Sequence, residues 1–465
     1  MTPADDRLGG LRKGAVGGWG AFVLAFGSLA PAITMGLAPL SVWLVSGPST
    51  WLVFVVSAVC MLGVAACVSV FARRIVGTGS VYTYIADVFG ARGRLVAAAC
   101  LIGGWGSLLL ISVPMLVMYG TPFLASVFGT AARGEPFQVV VTGLVLLSGC
   151  LLAVRGLSAS ARAMWVLVGL STAASAVLLL AAALRAGAPV LTSFGVGGVN
   201  LPDVARGLPL SFTLLLGFEG SAAFAYETRM PRVWVPRILY GLPLGFGALL
   251  LFGTATELPV LTGAQSDVES GASLLEVLGQ AARMPWLSAV VSGVLFLALL
   301  AGNIGIISMA ARIFATLAQD GMLPRVLRRV HPGYRTPVAA IVFLSVVRWG
   351  APWVIIFVTG WTPLGVYVWA GTLLSFWWVP LYGLVCVGAL LYVRAAGGRV
   401  RPFLVLAAAA GLGISAFSFA SALLWPGEGA LRLLPYLFLA LFVALLAGVA
   451  AFHRWSRPAD RSCAP

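Results

Sequence analysis

Between residues 19 and 452 the chain is a succession of apolar runs of roughly 20 residues, separated by short connections that carry most of its arginines. A run of that length crosses a hydrocarbon core as a helix. Lipid supplies no water to hydrogen-bond free amides and carbonyls, so such runs must fold as helices that satisfy their own backbones. Only 9% of the residues are charged and 60% are hydrophobic, with a mean hydropathy of +1.03. A soluble domain carries about a quarter charged residues. The sequence therefore predicts an all-α integral membrane protein.

Twelve runs can be counted, centred on residues 19 to 45, 51 to 72, 95 to 119, 137 to 154, 163 to 184, 207 to 226, 238 to 258, 286 to 315, 338 to 357, 364 to 393, 402 to 424 and 433 to 452. An even count puts both termini on one side. With that side cytoplasmic, 23 of the 29 basic residues fall inside. Arg133, Arg185, Arg206, Arg283, Arg348 and Arg432 remain outside. This is the asymmetry of the positive-inside rule, and one missed span would have scrambled it by inverting every later loop. The expected organisation is a cytoplasmic tail at 1–18, a membrane domain at 19–452 and a second cytoplasmic tail at 453–465, in the plasma (inner) membrane. The first run is too long for a signal-peptide core and is expected to remain as a helix. The longest outside loop, about 259 to 285, carries Asp267, Glu269 and Glu276 and reads as solvated.

Composition also removes function classes. The net charge of +15 comes as short clusters at run ends, not as the basic stripe with aromatics that would meet nucleic acid. Cys60, Cys67, Cys100, Cys150, Cys386 and Cys463 are scattered without metal-ligand spacing. The two histidines, His331 and His453, flank helices, so no metal site, haem or other cofactor is expected. No phosphate-binding loop supports an ATP-driven pump, and nothing supports a membrane enzyme.

Two runs are interrupted at depth, by Gly27-Ser28-Leu29-Ala30-Pro31 in the first and Gly217-Phe218-Glu219-Gly220 in the sixth. A helix break inside the bilayer survives only where it lines a protein cavity, and a pair of them marks a transporter's substrate site. Pro31 alone would also suit a simple proline kink. Glu219 lies about twelve residues into its span, roughly 18 Å deep, where an acid costs about 2.5 to 3.5 kcal/mol to insert. Every other acid reads as lying in a tail, a loop or near a helix end, Glu227 and Glu257 included, which leaves Glu219 as the sole intramembrane acid. It serves either proton coupling or a protonated structural role.

Further along stands Ala311-Arg312-Ile313-Phe314-Ala315-Thr316-Leu317-Ala318-Gln319-Asp320-Gly321-Met322-Leu323-Pro324, then His331-Pro332-Gly333-Tyr334-Arg335-Thr336-Pro337. Gly79-Ser80-Val81-Tyr82-Thr83-Tyr84 precedes the third span, and Pro231-Arg232 and Pro236-Arg237 follow the sixth. Together with Gly217-Phe218-Glu219 these stretches resemble the amino acid-polyamine-organocation permeases, bacterial amino acid permease type. The resemblance implies a LeuT-like fold: two inverted five-helix repeats, about 19–184 and 207–393, each opening on a broken helix, with two further helices at about 402–452. The loop motifs themselves read as caps and lipid-headgroup anchors, not as substrate contacts.

The breaks and the expected cavity walls supply the candidates to meet substrate, with ordinary helix packing as the alternative for each aromatic. From the first break these are Gly27, Ser28, Leu29, Ala30 and Ala32, and from the sixth span Phe212, Gly217, Phe218 and Gly220, with Trp105 and Asn303 in the third and eighth. Relatives more often carry a glycine-rich first break, so the carboxylate-binding end departs from the family here. Some proton-driven relatives use a fifth-helix lysine, but the chain's one lysine is Lys13, and the fifth span offers Ser171, Thr172 and Ser175. That leaves Glu219-linked proton coupling, exchange, or a sodium site to which Ser308 could contribute. With no cation evident in the cavity, neutral amino acids or amines are favoured. The expected function is secondary active transport of amino acids or related amines, by symport or antiport. Export of an amino-acid-derived metabolite and a non-transporting sensor are the alternatives.

Overall fold

The computed structural model describes residues 11–185, 187, 190–261, 274–425 and 429–456. The outermost tails, Cys463, Asp267 and Glu269 lie outside the described residues. Among the described residues the chain is helical, with one isolated parallel bridge, Val16 to Thr228.

Among the described residues there are fifteen α-helices. The first run forms α1 (Gly18–Ser28) and α2 (Pro31–Ser46), followed by α3 (Thr50–Ala72), α4 (Val81–Leu110), α5 (Ser112–Phe128), α6 (Glu135–Val154) and α7 (Leu157–Arg185). The sixth run forms α8 (Leu201–Leu214) and a 3-10 helix at Phe218–Glu227. Then come α9 (Pro231–Leu261), the short α10 (Leu274–Ala281), α11 (Pro285–Gln319), α12 (Val338–Thr359), α13 (Pro363–Ala395), α14 (Pro402–Leu424) and α15 (Leu434–Ser456).

Eleven stretches are long and apolar enough to cross a membrane, among the described residues. The count differs from the sequence reading because of the first break. It leaves α1 only 11 residues long, while α2 and α3 run together as one stretch, Pro31–Ala72. The third run also begins earlier than expected, at Val81, and turns at Gly90 before entering the bundle.

Packing follows small residues. Gly103 and Gly104 of α4 receive the rings of Trp377 and Trp378 from α13, Gly63 of α3 meets the Ala407 carbonyl of α14, and Gly253 of α9 meets Met35 of α2. In lipid such close approach replaces the hydrophobic effect as the force between helices. Gly27 of α1 packs on Met164 and Val168 of α7, and Gly305 of α11 on Ser28 and Leu24. The broken first span is thereby clasped between α7 and α11.

Three expectations about charge are corrected. Arg348 is not outside: it sits in the middle of α12, 2% exposed. Glu257 is not at a solvated helix end but fully enclosed, and Glu227 is buried against Arg312. Glu219 is therefore not the sole buried acid. Arg312, read with its loop motif as a lipid-headgroup anchor, is instead 1% exposed and paired with Glu227.

Candidate functional site

Both interruptions are real breaks in the helices. At the first, Leu29 and Ala30 leave the helix between α1 and α2, with Ala30 in the left-handed region at φ 48°. Pro31 takes the first helical position of α2, where its missing amide costs nothing. Thr34 donates its hydroxyl to the carbonyls of Leu29 and Ala30, at 3.1 and 3.2 Å, and Ser28 caps Ala25 at 2.7 Å. At the second, Gly217 adopts φ 92°, a conformation that favours a residue without Cβ. The breaks face each other: a Cβ on Gly217 would sit 3.5 Å from the Leu29 side chain.

Glu219 stands just beyond Gly217, 1% exposed. The Trp378 indole donates to one carboxylate oxygen at 2.7 Å and the Tyr382 hydroxyl to the other at 2.5 Å, both from α13. Ser80 donates to the Glu219 main-chain carbonyl at 2.6 Å. An indole can only donate, but a phenol can also accept. The Tyr382 bond can therefore reverse when the acid gains a proton, so the site holds Glu219 in either state.

Aromatic rings surround this acid. Phe212 and Phe218 lie 6.0 and 6.1 Å from the Tyr382 ring, and the Trp105 ring meets Gly220 together with Met309. The Trp105 indole nitrogen is buried without a partner. Thus Leu29, Trp105, Phe212, Gly217, Phe218, Glu219 and Gly220 come together.

Other expected residues lie apart. Asn303 accepts from Arg348 through both its side-chain oxygen and its main-chain carbonyl, and Ser112 accepts from the Arg348 Nε at 2.6 Å. Its neighbours Gly302 and Gly305 are the α11 residues that face α1. Ser308 is buried, and its carbonyl accepts from Arg312 at 2.8 Å. Ala32 lines a small separate cavity with Tyr119 and Ser175.

The sequence reading missed Trp378 and Tyr382. Their four-residue spacing, two polar-tipped aromatics on one helix face, was the available signal. It also missed the Arg312–Glu227 ion pair beneath the site. There the chain before α1 pairs with the end of the 3-10 helix: Val16 N donates to Glu227 O, Arg229 N to Val16 O, both at 2.9 Å, and Gly14 N to Tyr226 O at 3.3 Å.

With two apposed breaks and an enclosed acid in place, comparison with known proteins decides the family. The family model described as amino acid permease matches residues 16–452. The chain belongs to the amino acid permease family. The members of this family are permeases, which are transporters and not enzymes. A stretch of 139 residues of the permease is 36% identical to an uncharacterized transporter of Rhizobium meliloti (strain 1021), covering 28% of this chain and 27% of that protein. The match thus spans about a quarter of that relative.

Proposed function

We propose that this permease moves neutral amino acids or related amines across the plasma membrane by alternating access, coupled to protons through Glu219 or working by exchange. The observation that carries the reading is the enclosed Glu219 carboxylate, set at one break, facing the other, and held by donors from a third element, α13. The N-terminal end of α2 and the carbonyl end of α8 offer opposite partial charges to a zwitterion. Neutral substrates are favoured because both buried arginines are engaged, Arg312 by Glu227 and Arg348 by Asn303 and Ser112.

We count α1 with α2 as one broken span and α3 as the next, for twelve spans, and assign both termini to the cytoplasm on the arginine asymmetry of the sequence. An inverted repeat is supported by two contacts it would interchange, α4 on α13 and α11 on α7. The first joins helices three and ten and the second helices eight and five.

Reconstituted protein tests this directly. Uptake and counterflow of neutral amino acids into liposomes are expected, with uptake rising when the outside is acidified. Glu219→Gln is expected to flatten that pH dependence while leaving counterflow measurable. Unchanged pH dependence would remove Glu219 from coupling, and substrate binding without flux under any gradient would make the protein a sensor.

A further inference from the structure

The transport reading leaves unused a cavity of about 410 Å³ beside the Arg312–Glu227 pair. Four stretches distant in sequence wall it: Arg12 from the segment before α1, Glu227 from the end of the 3-10 helix, Arg155 and Gly156 after α6, and Arg335 with its neighbours before α12. Hydrogen bonds bring them together in pairs. The bond from Val16 N to Glu227 O joins the first two, while Thr336 donates its hydroxyl to the Val154 carbonyl at 2.9 Å and so sets Arg335 beside Arg155. A Cβ on Gly156 would lie 3.9 Å from the Tyr334 carbonyl oxygen. Arg335 holds φ 54°, a left-handed conformation that is costly for a residue with a Cβ. Two bonds fix it there, Arg335 N to His331 O at 2.8 Å and His331 N to Thr336 O at 2.9 Å.

The wall is positive and uncompensated. Among the described residues no ion pair or hydrogen bond engages the guanidinium of Arg12, Arg155 or Arg335. Nearby arginines are engaged: Arg229 donates to the Gly14 carbonyl at 3.2 Å and Arg325 to the Ser456 carbonyl at 3.0 Å. Glu227 brings a carboxylate to the wall, but both its oxygens are held by Arg312, so the pair is neutral. Like charges gathered around a concavity repel one another and focus their field on whatever anion enters. A guanidinium fork matches phosphate oxygens two at a time. A lone carboxylate fills one fork, whereas forks on three stretches suit an anion with oxygens on every side. The volume falls in the range of small-molecule sites, larger than a bare ion needs.

We propose that Arg12, Arg155 and Arg335 form a second ligand site, which takes a phosphate-bearing anion, either a soluble polyphosphate or the headgroup of an anionic lipid. The occupant bridges the segment before α1, through Arg12, to the loops after α6 and before α12. On the topology proposed above the site lies at the cytoplasmic face, but its test reads binding without reference to side or flux. Purified full-length protein in detergent would be melted in sodium pyrophosphate against sodium chloride at matched ionic strength. A parallel arm would melt it in nanodiscs of phosphatidylglycerol against phosphatidylcholine. A saturable rise with pyrophosphate assigns a soluble occupant, and a rise confined to phosphatidylglycerol assigns the lipid head.

In either arm the rise should vanish when all three arginines are replaced by glutamine. Each single variant, Arg12→Gln, Arg155→Gln or Arg335→Gln, should need roughly tenfold more pyrophosphate, since each removes charged hydrogen bonds to the anion. All three side chains are exposed, so the substitutions leave the core intact. Arg399→Gln, the same charge change at an exposed position outside the cavity, should leave the rise unmoved. Bound anion should also slow amide hydrogen exchange at 14–16 and 333–336 together. No rise in either arm would overturn the site, as would a rise that survives in the triple variant or falls equally in Arg399→Gln. Slowed exchange on one side alone would overturn the bridge.

Discussion

A Cβ at Gly104 would fall 2.0 Å from Cζ3 of Trp378, the ring whose indole holds Glu219. An aromatic ring cannot bend away, so either the α4–α13 contact opens or the indole leaves the carboxylate. Gly104→Ala is expected to cost about 1 to 3 kcal/mol and to depress uptake. Gly106→Ala should be silent, because nothing lies within 4 Å of its added methyl. Melting temperature and initial uptake rate, measured on the pair, check both. Glu219 itself was legible in the sequence, since an acid deep in an apolar run announces its cost. Glu257 and Arg348 were not. Whether a charge near a run's end or middle is enclosed depends on other helices, such as α11, which supplies Asn303 to Arg348 from 45 positions away.

At the scale of elements, the two breaks use different chemistry for the same bend. Gly217 reaches φ 92° without steric cost, whereas Ala30 holds φ 48° against its own Cβ. Opposite substitutions should therefore have opposite signs. Gly217→Ala is expected to destabilise by about 1 to 2 kcal/mol, and Ala30→Gly to stabilise by about 1 kcal/mol or less once glycine's extra unfolded-state freedom is subtracted. Thermal or denaturant unfolding in detergent would read both, and a loss of stability in Ala30→Gly would contradict the strain at that position. The breaks and nearly all the helices were readable from Gly, Pro and apolar run length. The early start at Val81 was not, because the segment before Gly90 is amphipathic and short. Two of the motif residues tie distant segments together: Tyr82 donates to Asp320 at 2.8 Å, and Thr336 to the Val154 carbonyl at 2.9 Å.

Across the whole molecule, the buried Arg312–Glu227 pair fastens α11 to the end of the second broken span. Removing one partner of such a pair costs about 3 to 5 kcal/mol, because the other charge is left buried alone. Arg312→Gln is expected to lower the melting temperature and to raise amide hydrogen exchange at residues 14–16 and 226–229. Glu227→Gln paired with Arg312→Gln should recover part of the loss, and equal loss in single and double variants would show that the two charges are not coupled.

The backbone bonds between residues 14–16 and 226–229 add a kinetic consequence. The segment before α1 and the end of the 3-10 helix are stitched together by three backbone hydrogen bonds, so peeling one from the other forfeits roughly 2 to 4 kcal/mol. Any rearrangement at this end that keeps the stitch moves both arms as one body across a single barrier. A rearrangement that breaks it adds a separate, slower step, whose rate records how often that seam gives way.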